Sequence, residues 1–391
     1  MNRREFLEVV AAGTGAALGA NERIGIGMIG CGDRATALLR EVLQFRQEEN
    51  VEVRAVCDTW RQQREKAAAL VREATGKEPR PFVDYHDLLA LPELDAVIIA
   101  TPDHQHCAQL LAAAEAGKDA YVEKPQAMDM RELLDAMDAV RRRERVVQCG
   151  TQVRSFSSSV AARAFVAGGG LGRIFKVEQS RNSLRPYWHR YGERPITEAD
   201  VDWKAFLMHR PDRPWDPDQY TAWYGYREFS RGPHTGLMAH FVDLVHYITG
   251  ASLPRRVTAL GGTYRWHDAR TAPDSVEVAL EYPEGFLARY ATTFGTDANS
   301  FLKFFGTQGV LDATRWGEPW VLTGAATREI PPVESVPHMK NWLQCLRTRK
   351  APNAPLEAGY AHAVACILAD EALVRGKRMI YDPVAQFIRE G

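Results

Sequence analysis

The chain has 391 residues, a length that suits two packed domains. Hydrophobic residues make up 45% of it and charged residues 25%, which excludes a disordered tail and a protein with several membrane spans. The 49 basic and 50 acidic residues leave a net charge of −1, so there is no general positive field to hold a nucleic acid, and none is expected as a partner.

Residues 1–20 carry a pattern typical of a twin-arginine export signal. Arg3 and Arg4 precede Phe6, Leu7 and a small, apolar stretch. That stretch is short for a membrane span, and no stable span is expected. We therefore predict a signal segment and a periplasmic or exported protein, which would be cytoplasmic if the leader does not function.

Residues 21–150 alternate strand and helix patterns, which predicts a Rossmann dinucleotide-binding domain. An apolar run at 24–29 is followed by Gly-Cys-Gly-Asp-Arg-Ala at 30–35 and by helical spacing at 36–45. In this order of strand, turn and helix, glycines let the backbone approach a pyrophosphate at the helix N-terminus. The first predicted cofactor contacts are therefore Gly30, Gly32, Asp33 and Arg34.

Asp58 is predicted to bind the adenosine ribose of the cofactor. It ends the second strand-like run, 28 residues after Gly30, compared with a usual interval of about 20. Its carboxylate could accept hydrogen bonds from ribose hydroxyls and would repel a 2′-phosphate, which favours NAD over NADP. Arg61 and Arg64 are close enough in sequence to leave NADP open.

Two further strand-like runs, 95–100 and 119–122, end in loops with polar residues. Because the carboxyl ends of parallel strands meet at one edge of a sheet, these loops should face the cofactor. Pro125 should hold Lys124 extended, so that its side chain can point into the cleft. The predicted contacts here are Thr101, Pro102, His104, Glu123 and Lys124.

No metal site is predicted. His104 and His106 invite one, but no cysteine or carboxylate cluster accompanies them, and a cofactor contact or a helix cap is preferred for His104. The six cysteines show no C-x-x-C spacing and are expected as buried free thiols, without a disulfide framework.

Residues 151–337 are predicted to form an α+β domain with a large, open and mostly antiparallel sheet. Period-two runs joined by short reversals indicate antiparallel strands. Residues 338–391 should form a helical segment that packs back on the body. The runs are 173–182, 256–266, 276–282, 286–294, 301–305 and 309–312.

The irregular stretch 187–231 is rich in aromatic residues. Flat rings suit the C–H surfaces of sugars, whereas the same rings could simply pack a loop onto the sheet. A carbohydrate site that includes Trp223 is the functional interpretation of this cluster. Its aromatic members include Trp188, Trp203, Trp215, Trp223, Tyr224 and Tyr226.

Taken together, the motifs resemble those of the Gfo/Idh/MocA (glucose-fructose oxidoreductase / inositol dehydrogenase) family. The resemblance covers nearly all of the chain after residue 22, and the leader with segment 338–342 is similar to the exported branch. It implies an NAD(P)-dependent oxidoreductase acting on carbohydrates, and a homodimer or homotetramer formed through the C-terminal sheet. The matching segments are 30–35, 101–104, 123–125, 150–155, 240–243, 306–309 and 338–342.

The resemblance also implies roles for individual residues. Lys124 and His240 would be catalytic, the Lys124–Pro125 bond would be cis, and Gln152 would contact the cofactor. Arg154, Trp223 and Asp243 are candidates for substrate binding, and Asp243, three residues after His240 on a predicted helix, could orient the imidazole. Many members carry an aspartate four residues before this histidine, and the present chain has Gly236 there.

Three functions follow from these observations. The leading one is hydride transfer between a sugar, polyol or glycoside carbinol carbon and a tightly bound nicotinamide cofactor, with His240 as general base. The second is a glycoside hydrolase that oxidises its sugar transiently and returns the hydride. The third is a sugar-binding protein without chemistry, a possibility that Gly236 keeps open.

Overall fold

The computed structural model describes residues 23–186, 195–251, 253–324 and 326–391. The predicted signal segment 1–20 lies outside the described residues. So do Tyr187 and Trp188 of the aromatic stretch.

The N-terminal domain is a parallel sheet with helices between its strands. Strands β1, β4 and β5 are buried along their whole length, because helices cover both faces of the sheet. The strands are β1 (Ile24–Ile29), β2 (Val51–Cys57), β3 (Arg80–Phe82), β4 (Ala96–Ile99), β5 (Asp119–Val122) and β6 (Val147–Cys149). The helices are α1 (Asp33–Phe45), α2 (Arg61–Thr75), α3 (Tyr85–Leu89), α4 (His106–Glu115) and α5 (Met130–Arg142).

The strand order of this sheet is β3-β2-β1-β4-β5-β6, and every pair in it is parallel. This is the order of a doubly wound dinucleotide-binding sheet. The predicted Rossmann architecture is therefore confirmed. The strands end at one edge, where Gly30, Asp58, Thr101 and Lys124 follow β1, β2, β4 and β5.

The second domain is built on an open sheet of ten strands in the order β14-β13-β12-β11-β7-β10-β9-β8-β15-β16. Alternation is clear in β9, where Val276, Val278 and Leu280 are buried and the residues between them are more exposed. Strands β7 and β10 pair in parallel, and the other pairs are antiparallel. The first eight strands are β7 (Ile174–Ser180), β8 (Arg256–Gly262), β9 (Ser275–Tyr282), β10 (Phe286–Thr293), β11 (Phe301–Gly306), β12 (Gly309–Asp312), β13 (Trp320–Thr323) and β14 (Arg328–Ile330).

The helices of this domain are α6 (Ser157–Ala167), α7 (Trp203–Leu207), α8 (Pro217–Thr221), α9 (Pro233–Gly236) and α10 (Met238–Thr249). Helix α6 precedes β7, and the next four helices lie between β7 and β8 in the chain. Two of these helices, α9 and α10, are important for the site. Helices α9 and α10 follow one another directly and carry Gly236 and His240.

The C-terminal segment differs in part from the prediction of a helical segment. It begins with α11 (His338–Thr348) and α12 (Leu356–Arg375), which pack on both domains. It then forms β15 (Met379–Asp382) and β16 (Phe387–Glu390), which extend the large sheet beyond β8. The sequence analysis missed both strands because each is only four residues long. Neither has a strong period-two pattern, and β16, at the sheet edge, is mostly exposed.

All six cysteines are buried and free, as expected from their spacing. Among the described helices, none has the length and apolar composition needed to cross a membrane.

Buried histidines predict a steep loss of stability in mild acid. Burial lowers the pKa of His104, His246 and His362 to about 3 and that of His338 to about 4. They stay neutral in the folded state, whereas in the unfolded chain they gain protons below an ordinary pKa of about 6.5. Stability is therefore nearly complete well above pH 6.5 and falls as the pH drops through that value to about 3, by about 2 kcal/mol per histidine between pH 7 and pH 5.

This expectation is tested by urea unfolding at a series of pH values. His104→Gln removes one titrating group and should reduce the loss between pH 7 and pH 5 by about 2 kcal/mol. His86→Gln, at an exposed position in α3, is the matched control. Equal pH dependence in His104→Gln and the wild type would contradict the assignment.

Candidate active site

A cavity of about 960 Å³ lies between the carboxyl edge of the parallel sheet and the second domain. Most of the residues predicted from the sequence line it, and they come from both domains. Those residues are Gly30, Gly32, Asp33, Arg34, Asp58, Thr101, Pro102, Glu123, Lys124, Gln152, Trp223 and His240.

The glycine turn after β1 provides space for a pyrophosphate. Gly30 has φ +86°, and a Cβ there would lie 2.6 Å from the carbonyl oxygen of Ala100, so only glycine fits. A Cβ on Gly32 would meet no protein atom within 4 Å, because the space in front of α1 is open. No side chain caps the N-terminus of α1, which leaves its amides directed at that space.

Asp58 holds this turn against the end of β2. Its carboxylate accepts hydrogen bonds from the amides of Cys31 at 2.7 Å and Trp60 at 2.8 Å, one on each oxygen. Each oxygen has a second lone pair, so the group can still accept from a ribose hydroxyl. Burial raises the pKa of Asp58 above its ordinary value, and the two amide bonds work against that rise.

Glu123 and Arg34 form a partly buried ion pair at the cavity wall. Arg34 Nε lies 2.5 Å from Glu123 Oε1, and the Glu123 side chain is almost completely buried. Burial alone would raise the pKa of Glu123, but the charges of Arg34 and Lys124 outweigh it and hold the pKa below its usual value. The Glu123 carboxylate therefore positions the Arg34 guanidinium at the cavity wall.

Lys124 reaches across the cavity to the second domain. Its Nζ donates a hydrogen bond to the carbonyl oxygen of Gly236 at 3.1 Å, and the Lys124–Pro125 bond is cis, as expected. His106 lies between the two neighbouring loops, with its ring nitrogens 2.8 Å from the carbonyl oxygen of Pro125 and 2.9 Å from that of Thr101. The ammonium group is thus held where both domains meet.

His240 lines the same cavity as a buried imidazole. Burial lowers its pKa well below the ordinary value, and the nearby cations Lys124, Arg181 and Arg34 lower it further. The imidazole is therefore neutral at physiological pH. Its ring lies 5.7 Å from that of Trp316, between centroids.

Three buried polar atoms of the cavity residues lack a hydrogen-bond partner within the described part of the protein. They are His240 Nδ1, Gln152 Oε1 and Trp60 Nε1. Buried polar atoms are normally paired, so their position at the cavity fits a polar ligand such as a dinucleotide with its substrate. Within the described ranges, no group of three or more His, Cys, Asp and Glu side chains is placed to hold a metal ion.

Two predicted substrate contacts, Arg154 and Asp243, are not in the cavity. Arg154 Nε donates to both carboxylate oxygens of Asp243, at 2.7 and 2.8 Å, and the Asp243 side chain is fully buried. The guanidinium also lies over the ring of Tyr247. Neither residue lines the cavity and each satisfies the other's charge, so the described contacts do not support substrate binding by this pair or orientation of His240 by Asp243, and both roles stay predictions.

His104 is also misplaced by the sequence analysis. Its ring points away from the cavity, packs on Phe206 and Phe229, and lies with Nε2 2.9 Å from the carbonyl oxygen of Phe206. Its neighbours Asp103, Gln105 and His106 line the cavity instead. The motif located the loop, but only the 3₁₀ turn at Asp103–Gln105 decides which side chains face inward.

Residues 196–229, which we call the cover segment, close one side of the cavity. Val201 forms a β-bridge with Trp60, and the amide of Asp202 donates to the carbonyl oxygen of Thr59 at 2.9 Å. The hydroxyls of Thr59 and Tyr220 are 2.8 Å apart. The cover segment is thus fastened to the loop that follows β2.

The cover segment is also fastened to the loop that follows β4. The carbonyl oxygen of Phe206 accepts from Gln105 Nε2 at 2.8 Å, and that of Phe229 accepts from the amide of His104 at 3.2 Å. Its aromatic rings form a small core with Trp60, and most of the aromatic stretch therefore packs the loop, with Trp223 at the cavity. The members of that core are Trp60, Trp203, Phe206, Leu207, Tyr220 and Phe229.

The strand order, the glycine turn and the two-domain cavity define a protein of the dinucleotide-binding class. Residues 24–151 match the model of the oxidoreductase family with an NAD-binding Rossmann fold, and residues 206–312 match that of the GFO/IDH/MocA C-terminal domain. The chain belongs to the Gfo/Idh/MocA family.

Similar curated proteins are named as glycosyl hydrolases. A glycosyl hydrolase family 109 protein of Shewanella sp. (strain W3-18-1) is 27% identical over 183 residues, which span 42% of this chain and only 39% of that relative. A second, glycosyl hydrolase family 109 protein 1 of Shewanella sp. (strain ANA-3), is 26% identical over 90% of this chain and 83% of its own length.

Similar solved structures support the fold. The WlbA dehydrogenase of Bordetella pertussis, in complex with NADH and UDP-GlcNAcA, has a TM-score of 0.70 at 20% identity and covers 92% of this chain and 99% of its own. The aldose-aldose oxidoreductase of Caulobacter crescentus, complexed with glycerol, has a TM-score of 0.70 at 18% identity. The match covers 92% of this chain and 100% of that oxidoreductase.

The buried ion pair between Arg154 and Asp243 gives a first testable prediction. Arg154→Met should lower the free energy of unfolding by about 3–5 kcal/mol, because the Asp243 carboxylate is left buried without its partner. Arg154→Met with Asp243→Leu should recover most of that loss. Urea unfolding measures both; a stable Arg154→Met protein with a raised KM would instead return Arg154 to substrate binding.

The cover segment gives a second test. Tyr220→Phe removes the hydrogen bond to Thr59 and should speed the release of NADH by about 5–10-fold, since one such bond contributes about 1 kcal/mol. Stopped-flow fluorescence, with excess NAD to trap the empty protein, measures the rate. Tyr264→Phe, at an exposed position outside the cover segment, is the control, and equal rates in all three proteins would contradict the role of the cover.

Proposed function

We propose that the protein transfers a hydride between a hydroxyl-bearing carbon of a sugar, polyol or glycoside and a tightly bound NAD. The observation that carries the proposal is that Lys124 and His240, from different domains, line one cavity that begins at the glycine turn. The cofactor residues come from strand ends, and the proton-accepting residue comes from a helix of the second domain.

The residues divide the work of alcohol oxidation. Neutral His240 accepts the hydroxyl proton of the substrate, and Lys124 donates a hydrogen bond to the same oxygen as its charge develops. NAD, when bound, supplies the hydride acceptor. Trp223, at the cavity wall, offers a flat face to the sugar ring.

Three side chains in the loop and helix that follow β2 support NAD as the cofactor. The Asp58 carboxylate faces the ribose end of the cavity and disfavours a 2′-phosphate. The two arginines that left NADP open have other partners: Arg61 pairs with Asp200 of the cover segment, and Arg64 donates to the carbonyl oxygen of Asp58.

The cover segment supports tight binding of the cofactor, because it is bonded to the loops on both sides of the cavity. The leader at 1–20 supports a periplasmic or exported protein, where a cofactor must travel with the enzyme. We also propose a homodimer or homotetramer through the outer face of the large sheet, where Leu260 and Leu287 are exposed.

A redox-cycling glycoside hydrolase is the second candidate. It is favoured by the curated relatives, which are named glycosyl hydrolase family 109 proteins. Such an enzyme would oxidise the sugar, eliminate the aglycone, add water and return the hydride, so that NAD ends unchanged.

One experiment separates the two candidates. The purified protein, whose bound dinucleotide is first identified by mass spectrometry after denaturation, is incubated with aryl glycosides and free sugars in heavy water. We expect reduced cofactor or ketosugar without aglycone release. Aglycone release at catalytic turnover, with deuterium in the sugar and no net NADH, would promote the hydrolase.

Lys124→Met in the same assay tests the role of the lysine. Turnover should fall by roughly two to four orders of magnitude, while NAD binding stays close to that of the wild type. Lys303→Met, on the large sheet, is the matched control. Unchanged turnover would remove Lys124 from the mechanism, and a protein that neither contains nor binds a dinucleotide would contradict the proposal as a whole.

A further inference from the structure

Tyr224 lies directly against the residue that Lys124 contacts. It is buried in the 3₁₀ turn Trp223–Gly225 and lines the cavity beside Lys124, Leu237 and His240. An ideal Cβ placed on Gly236 would lie 2.6 Å from the Tyr224 hydroxyl oxygen and 2.9 Å from Cε2. Any side chain at position 236 would therefore have to displace the phenol.

This close approach explains why residue 236 is glycine. Gly236 ends helix α9 and is not among the glycines with positive φ, so its backbone conformation does not require the absence of a side chain. The reason is space alone, because the phenol of Tyr224 occupies the volume in which a side chain at 236 would begin.

Gly236 also brings the phenol and the lysine together. Its carbonyl oxygen accepts the hydrogen bond from Lys124 at 3.1 Å, while its Cα faces the Tyr224 hydroxyl. His240 follows four residues later at the start of α10. The backbone from Gly236 to His240 thus lies next to the Lys124 ammonium and the Tyr224 phenol and carries the His240 imidazole, and all three side chains line the cavity.

We propose that Tyr224 is a further catalytic residue, whose hydroxyl donates a hydrogen bond to the sugar oxygen that is being oxidised. The inference rests on the proposed function and names a residue for it. The substrate hydroxyl proton goes to His240, the hydride on the same carbon goes to oxidised NAD, and Tyr224 keeps its own proton. With Lys124, it stabilises the negative charge that develops on the oxygen.

Tyr224→Phe keeps the ring and removes the hydroxyl. We expect kcat to fall by about 100-fold, as when one donor to a developing oxyanion is lost, with NADH affinity and melting temperature unchanged. The kcat–pH profile should move to higher pH, because the substrate alkoxide forms less readily, and a purely structural role would not cause this shift. Tyr226→Phe, in the same loop but outside the cavity lining, is the matched control.

Position 236 provides a second, independent variant. Gly236→Ala should displace the phenol and reduce kcat as Tyr224→Phe does, and the combined variant should lose little more than either alone, since both remove one interaction. Fully additive losses would contradict the proposal.

A binding measurement separates failure of this inference from failure of the proposed function. Calorimetry with free hexoses and hexitols on NADH-loaded protein should give dissociation constants about 5–10-fold higher for Tyr224→Phe than for the wild type. A wild type that binds sugars and oxidises none contradicts the proposed function alone. A Tyr224→Phe protein that binds and turns over sugar like the wild type contradicts the role of Tyr224, and a wild type that binds no sugar contradicts both.

Discussion

The shared edge at which the parallel strands end determines where the chemistry of this protein is located. Strands β1, β2, β4 and β5 run in the same direction in adjacent register, so the residues that follow them must emerge side by side. Helices cover both faces of the sheet, and the edge is its open side. A ligand bound at this edge would contact the strand-end loops on one side and the second domain on the other.

The second domain contributes a backbone carbonyl as well as side chains to the site. Lys124 contacts a carbonyl oxygen of residue 236, a group that every amino acid provides, whereas the absence of a side chain there admits Tyr224. His240 depends on the same enclosure, because its neutral state comes from burial and from the cations around it. The two domains therefore set the positions of Lys124 and His240 and keep the His240 imidazole neutral.

The sequence placed the glycine turn and Lys124 at the cavity because both follow strand-like runs, whereas His240 was predicted from the family resemblance and also lines the cavity. The sequence analysis also expected His104, Arg154 and Asp243 at the site, but none of them lines the cavity, since a short 3₁₀ turn and a buried ion pair decide where those side chains point. Residues that act through contacts distant in sequence had no local signal. Trp60 and Tyr220 belong to this group, as do the short strands β13 to β16, which are recognisable only once their partners are in place. Tyr224 was named only as a member of the aromatic cluster, and its contact with Gly236 had no signal in the sequence.

The C-terminal helices and strands tie the folding of both domains to the last part of the chain. Trp342 of α11 is fully buried in the core of the N-terminal domain, 5.8 Å from Tyr121 of β5 between ring centroids. Strand β15 pairs with β8, more than a hundred residues earlier. A nascent chain halted near residue 150 would therefore leave the ribosome with an unfilled core and exposed apolar surface. The export signal proposed at 1–20 would therefore have a folded protein to carry only after α11 and β15 have been made.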